Sequence, residues 1–208
     1  MLKQANFVWK RMRKSLKKNR NEELFRLFQK ELQLLKKQAI EKKIDLCYFD
    51  ATGLNLNPNV PYAWQKKGET KSLPADRTKG VTILGVLNYA SNEFMGNIYE
   101  GSANSDCVIQ TLNEFARTLK RKTILVLDNA SIHKSKKVMA CVDQWRANGL
   151  FLQFIPAYCP ELNLIEILWK KLKYYWIKTE HYLSMSTLTN AAISILQKYG
   201  KDYSVSFA

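Results

Sequence analysis

Three acidic side chains in this 208-residue chain have the type and placement to hold a cation. Asp50 closes the apolar run IDLCYFD, Asp128 closes TILVLD, and Glu166 sits inside LNLIEILWKKLK among lysines. An aspartate at the end of a strand is equally suited to cap a helix or close a turn, so neither is informative alone. The pair says more. If the two strands are neighbours, their carboxylates are forced together, which like charges resist unless a cation lies between them.

Glu166 can be placed by helical spacing. Leu162, Ile165, Trp169, Leu172 and Trp176 recur at steps of three and four and predict a buried stripe. Asn163, Glu166, Lys170 and Lys173 repeat those steps one residue on, predicting a polar stripe at the edge of the core, with Glu166 facing a site. The alternative is a surface pair between Glu166 and Lys170, worth only a few tenths of a kcal/mol. Upstream, the proline-bounded turn AYCPE fixes the angle at which the chain enters this helix.

The elements that must position these groups follow from the pattern along the chain. Strands are expected at 44–50, 81–90 and 93–101, the last two joined by the turn-like SN, with 51–80 a long loop or irregular hairpin. Then come a helix at 107–120, a strand at 123–128, a helix at 135–148, a strand at 150–156, a helix at 162–177 and a final helix at 186–200. Three antiparallel-type strands followed by alternating helices and strands predict an α/β fold, a mixed sheet with helices on its faces. Ligands in such sheets collect beyond the carboxyl ends of the strands, where Asp50 and Asp128 fall.

Charge is unevenly spread. The net charge is +15, and residues 1–43 hold fourteen Lys/Arg against four Glu, so most of the excess lies in the first fifth of the chain. That distribution suggests a polyanionic partner. Lys10, Arg11, Arg13, Lys14, Lys17, Lys18 and Arg20, with Phe7, Trp9, Met12 and Leu16 interleaved, read as an arm that lies along phosphates. In the helix predicted after it, Leu24, Phe25, Phe28, Leu32, Leu35 and Ala39 share one face. The four cysteines form no C-x-x-C pair and with two histidines make no recognisable zinc site, which suits a reducing cytoplasm. No apolar run reaches membrane-spanning length.

The segments YFD at 48–50, VLDNASIH at 126–133 and IPAYCPELNLIEILWKKLK at 155–173 closely resemble the DDE transposases of the mariner superfamily, nearest the bacterial insertion sequence six-thirty group. The resemblance covers about residues 44–177, and YAWQKKGE at 62–69 is similar to a further family segment. Ala51, Cys159 and Leu164 depart from the family's usual glutamate, serine and proline, and the step from Asp128 to Glu166 is slightly long, an excess that a loop near Asn148 and Gly149 absorbs.

The resemblance implies a ribonuclease H-like, mixed five-stranded sheet in a catalytic domain at 44–208, preceded by a basic arm and linker helix at 1–43. It implies that Asp50, Asp128 and Glu166 are the catalytic, metal-binding triad, with Asn129, His133 and Asn163 orienting the ligands or contacting phosphate and Lys170 and Lys173 joining the arm in binding DNA. Asn129 and Ser131 serve equally as caps for the following helix, and His133 as a loop residue. The implied cofactor is two Mg²⁺ ions, with Mn²⁺ as substitute, about 3.5 to 4 Å apart on a scissile phosphate. The implied partners are transposon ends and target DNA at TA steps, a second copy of the chain at synapsis, and a separate product carrying the helix-turn-helix modules that family members place ahead of the catalytic domain, with residues 1–43 as the linker that follows such modules. No membrane partner is expected, and the implied location is the bacterial cytoplasm, at the nucleoid. A structure-specific nuclease of the same fold and a non-enzymatic DNA-binding remnant are the competing readings.

Overall fold

The computed structural model describes residues 19–57, 67–68 and 80–207. Strand β1 (Asp45–Asn55) pairs antiparallel with β2 (Gly80–Asn88), which pairs antiparallel with β3 (Phe94–Glu100). On its other edge β1 pairs in parallel with β4 (Thr123–Leu127), and β4 with β5 (Leu150–Phe154), giving the order β3-β2-β1-β4-β5. This is the expected mixed five-stranded, ribonuclease H-like sheet. The helices are α1 (Glu22–Ile40), α2 (Ser105–Ala116), α3 (Lys136–Ala140), α4 (Val142–Ala147), α5 (Ile165–Lys171) and α6 (Met185–Gln197).

The strands divide their side chains by parity, because successive residues point to opposite faces. Leu46, Tyr48 and Val126 enter a core with α1, α5 and α6, whereas Cys47, Phe49, Leu125 and Leu127 enter a second core with α2, α3 and α4. With both faces covered, residues 46–50 are all buried, which explains an apolar run without alternation. Asp50 and Asp128 have the parity of Tyr48 and Val126, and so belong to the α5 face.

α1 packs on that face through Phe28, Leu32 and Ala39, with Phe25 and Leu35 partly buried. Leu24, expected on the buried face, is exposed instead, because it lies at the outer edge of the stripe in the first turn. Asn21 caps this helix, accepting from the backbone N–H groups of Glu23 and Leu24 at 3.0 and 3.1 Å.

Several expected boundaries differ. β1 does not stop at Asp50 but runs on to Asn55, since β2 continues to pair with it beyond the end of β4. The helix expected at 135–148 is interrupted at Cys141 into α3 and α4. The helix expected at 162–177 is a 3₁₀ turn (Pro160–Leu162), the short α5, and a π turn (Leu172–Trp176) in which the Ile177 N–H donates to Leu172 O at 3.0 Å. Lys10, Arg11, Arg13, Lys14, Lys17, Lys18 and most of YAWQKKGE lie outside the described residues. All four cysteines are free thiols, and among the described residues no helix is long and apolar enough to cross a membrane.

Candidate active site

Strand register brings the two aspartates together. Tyr48 faces Val126 and Phe49 faces Leu127 in the parallel β1–β4 ladder, so Asp50 and Asp128 are the next residues of neighbouring strands on the same face. α5 packs against β1 on that face and carries Glu166 in its first turn. The three carboxylates feel one another, and Lys173 feels both Asp50 and Glu166.

The two aspartates are held differently. Asp50 is 8% exposed, and Trp169 Nε1 donates to its Oδ2 at 3.1 Å. Burial first, then the charge of Glu166 and more weakly that of Asp128, pushes its carboxyl up to about 7. Asp128 is more open. His133 Nδ1 lies 2.7 Å from its Oδ1, and the Ala130 N–H donates to the same oxygen at 2.9 Å. These bonds, the histidine's foremost, hold the Asp128 carboxyl below the usual aspartate range. Asp128 is thus a turn residue as well as a member of the cluster, the two readings of a strand-end aspartate being compatible.

Glu166 is open to solvent on one side and crowded by protein on the other. That desolvation raises its carboxyl, with Lys173 opposing and Asp128 adding to the rise. Its electrostatic partner is Lys173, not the Lys170 of the alternative reading, which is exposed and makes no ion pair among the described residues. Desolvation lowers the Lys173 ammonium, and Glu166 and Asp50 pull it back up.

The expected companions of the triad have structural jobs. His133 is 1% exposed, packs on Phe49 with ring centroids 5.1 Å apart, and has its Nε2 sealed without a hydrogen bond among the described residues. It reaches Asp128 and no external phosphate. With Asp128 ionised, Nδ1 carries the proton that is donated. Asn129 does not cap a helix. Its Nδ2 donates to Ile155 O, tying the end of β4 to the end of β5, while Ser135 caps α3. Asn163 is 3% exposed and precedes α5 instead of sharing its polar stripe; its Nδ2 donates to Phe49 O at 3.0 Å, next to Asp50. Arg20, expected to meet phosphate, is spent on carboxylates: its Nε reaches Glu22 at 2.5 Å, its Nη1 reaches Glu161 at 2.6 Å, and it lies over the Phe25 ring.

Two residues that shape the site were not expected to. Trp169 was predicted as a core residue, and it is buried, yet its single N–H is aimed at Asp50. Gly85 pairs with Asp50 across the β1–β2 ladder, and a Cβ there would come within 2.7 Å of Phe94 Cζ and 2.9 Å of Trp169 Cη2. The glycine makes room for the indole beside the carboxylate. A lone glycine inside the apolar run VTILGVLN was the available signal, since such a glycine marks a close approach.

Among the described residues, no three His, Cys, Asp or Glu side chains close around a single metal ion. The donor set nonetheless suits hard divalent cations whose remaining positions are filled by water and phosphate oxygens. Asp128 Oδ2 and both Glu166 oxygens make no hydrogen bond among the described residues, and mutual repulsion of the three carboxylates favours a cation.

Comparison with known proteins agrees with this arrangement. Residues 45–189 match the family described as DDE superfamily endonuclease. An insertion element IS630 39 kDa protein of Shigella sonnei is 30% identical over 148 residues, covering 66% of this chain; the chain spans only 42% of that protein's length. The Mos1 transposase paired-end complex with the left transposon end superposes with a TM-score of 0.52 at 14% identity, over 96% of this chain and 67% of that one. The Mos1 mariner paired-end complex with Mn gives 0.53 at 14%, over 97% and 70%. The structural likeness establishes the shared fold, and the family match extends through all three carboxylates, so the chain belongs to the DDE superfamily of endonucleases.

Proposed function

We propose that this chain is the catalytic part of a DNA transposase, which hydrolyses phosphodiester bonds at the ends of an element and joins the freed 3′-hydroxyls to target DNA. The observation that carries the proposal is the convergence of Asp50, Asp128 and Glu166 at one end of a sheet shared with transposases, within a stretch matching DDE endonucleases. One of the Mos1 complexes is described with Mn, and the three carboxylates here are proposed to hold two Mg²⁺ or Mn²⁺ ions, Asp50 serving both. Such ions, when bound, supply Lewis acidity at the scissile phosphate and favour a deprotonated nucleophile.

The chain's own groups do the rest. Trp169 restrains one oxygen of Asp50, and His133 and the Ala130 N–H restrain one oxygen of Asp128, which limits the orientations either carboxylate samples. Asn163 fixes the start of α5 against the Phe49 carbonyl, so Glu166 and Asp50 move as one unit. Lys173, beside Glu166 and Asp50, provides positive charge for an incoming phosphate. Residues 44–208 are proposed as the catalytic domain, and 1–43 as a basic arm and a helix that also packs on it. DNA ends, a TA-containing target, a second copy at synapsis and a separate helix-turn-helix product are the proposed partners, in a bacterial cytoplasm at the nucleoid.

Thermal melting with added Mn²⁺ or Mg²⁺ tests this reading without DNA. Metal should raise the Tm of the parent chain, and Asp128→Asn and Glu166→Gln should each blunt that rise. Glu166→Gln, which removes a carboxylate whose charge is disfavoured, should also stabilise the metal-free protein, whereas Asp128→Asn, which loses a charge held by His133 and the Ala130 N–H, should not. Nicking of supercoiled DNA should then depend on metal and on all three carboxylates. A Tm indifferent to metal in the parent and in both variants would instead favour a DNA-binding remnant.

A further inference from the structure

The pole of the sheet opposite the carboxylates gathers positive charge that the sequence scatters. There the turn after α1 meets the loop between α2 and β4: Arg121 Nη1 donates to Lys42 O at 2.8 Å, and the Asp45 N–H donates to Lys122 O at 2.9 Å. Lys42, Lys43, Arg117, Lys120, Arg121 and Lys122 are all exposed around this junction. Of the nearby acids, Asp45 is engaged by Arg121 at 3.5 Å and Glu41 by Lys43 at 2.7 Å, while Glu93, on the same cleft, accepts from Ser91 Oγ at 3.0 Å. Lys42, Lys120 and Lys122 make no ion pair among the described residues, and Lys42, Lys120 and Arg121 line an open cleft.

From these observations we infer a second nucleic-acid surface at this pole, which binds the phosphate backbone of duplex DNA without reading its sequence. That the polyanion is DNA rests on the function proposed above. Charge complementarity favours it: exposed lysines that neutralise phosphates release counterions and provide sequence-independent affinity. Position makes the surface distinct from the catalytic one. Asp45 and Asp50 are separated by five residues of extended strand, about 17 Å at roughly 3.3 Å per residue, and the two sites face away from each other along β1. A duplex segment held at the carboxylates therefore leaves this pole free for a second segment, such as target or flanking DNA.

The test uses the whole chain and no metal. Affinity for a labelled 20-base-pair duplex of arbitrary sequence is measured by fluorescence anisotropy against salt, for the parent and for Lys42→Gln/Lys120→Gln/Lys122→Gln. Each lost phosphate contact should lower the slope of log K against log salt by about 0.9 and weaken binding about fivefold near 0.15 M salt. In parallel, bound duplex should slow acetylation of Lys120 and Lys122, but not of Lys198 and Lys201, as read by mass spectrometry. An unchanged slope with unprotected Lys120 and Lys122 overturns the inference, as does protection by single strands alone. Protection without metal-dependent nicking breaks the catalytic reading and leaves this one; nicking without protection does the reverse.

Discussion

Asp50 and Asp128 occupy adjacent strands one residue beyond a paired register position, yet the protein treats them oppositely. Asp50 sits under α5, buried, with an indole N–H and a raised carboxyl; Asp128 stands at the rim with a histidine and a backbone N–H, and a lowered one. Burial penalises charge at the first, and hydrogen bonds stabilise it at the second. One carboxylate is therefore strained as an anion, and the other is set in place as one. Under the proposed function, that strain is repulsion kept in reserve for the cation.

The largest effect should come from relieving the strained member. Asp50→Asn is expected to reduce metal-dependent nicking by about 10³-fold or more, the scale of losing several kcal/mol of charge stabilisation. The same substitution should flatten the pH dependence of metal-free stability. The folded chain binds the Asp50 proton more tightly than an unfolded chain with an ordinary value of 3.8 does, so Asp50's contribution is complete below about pH 4 and is lost as pH rises towards about 7. Asp128, with its lowered carboxyl, contributes in the opposite sense: its share is present above pH 4 and lost as the pH falls further. Chemical denaturation at pH 5 and pH 8 should show the parent losing stability over that interval and Asp50→Asn losing much less.

At the other aspartate, His133→Ala removes a buried hydrogen bond to a charged group, leaves a void beside Phe49, and is expected to cost about 2–4 kcal/mol in urea denaturation. If the contrast between the two carboxylates is real, it should also bring the Asp128 carboxyl up towards that of Asp50, readable by carboxyl NMR titration. Gly85→Ala, which pushes a methyl into Phe94 and Trp169, should cost about 1–3 kcal/mol and weaken Mn²⁺ binding. Trp169→Phe keeps the ring against Phe94 but loses the N–H to Asp50, at about 1 kcal/mol. Mn²⁺ affinity equal to the parent's in both variants would show that the indole packs the core and does not orient Asp50. Smallest of all, Arg20→Gln should leave affinity for DNA unchanged, because that guanidinium is engaged by Glu22 and Glu161.

The carboxylates were legible because each sits at a place that local pattern marks: the end of an apolar run, or a polar position one step off a buried helical stripe. The sheet's composition was legible for a similar reason, since period-two and apolar runs set strands apart from the 3.6-residue repeat. What escaped were features with no local signature. Leu24 fits the apolar periodicity of α1 as well as Phe28 does, and only the position of β1 beneath the helix decides that Phe28 is covered and Leu24 is not. Lys170 and Lys173 are both helical lysines after Glu166, and the π turn beginning at Leu172 is where the helix changes geometry. Arg20 reads as one more basic residue of an arm until Glu161, 141 positions away, is placed against it.

Sequence by itself determined which residue types are present, roughly where most strands and helices fall, and which three carboxylates to single out, two closing apolar runs and one beside a buried helical stripe, because hydrophobic periodicity is local and survives without tertiary context. Only the tertiary structure decided how those carboxylates differ. Burial, the direction of the Trp169 and His133 nitrogens, the room left by Gly85 and the joining of the 41–43 and 117–122 loops into one basic pole all depend on contacts between residues far apart in the chain. Electrostatic energies follow distance and solvent access, and neither is a property of neighbouring letters.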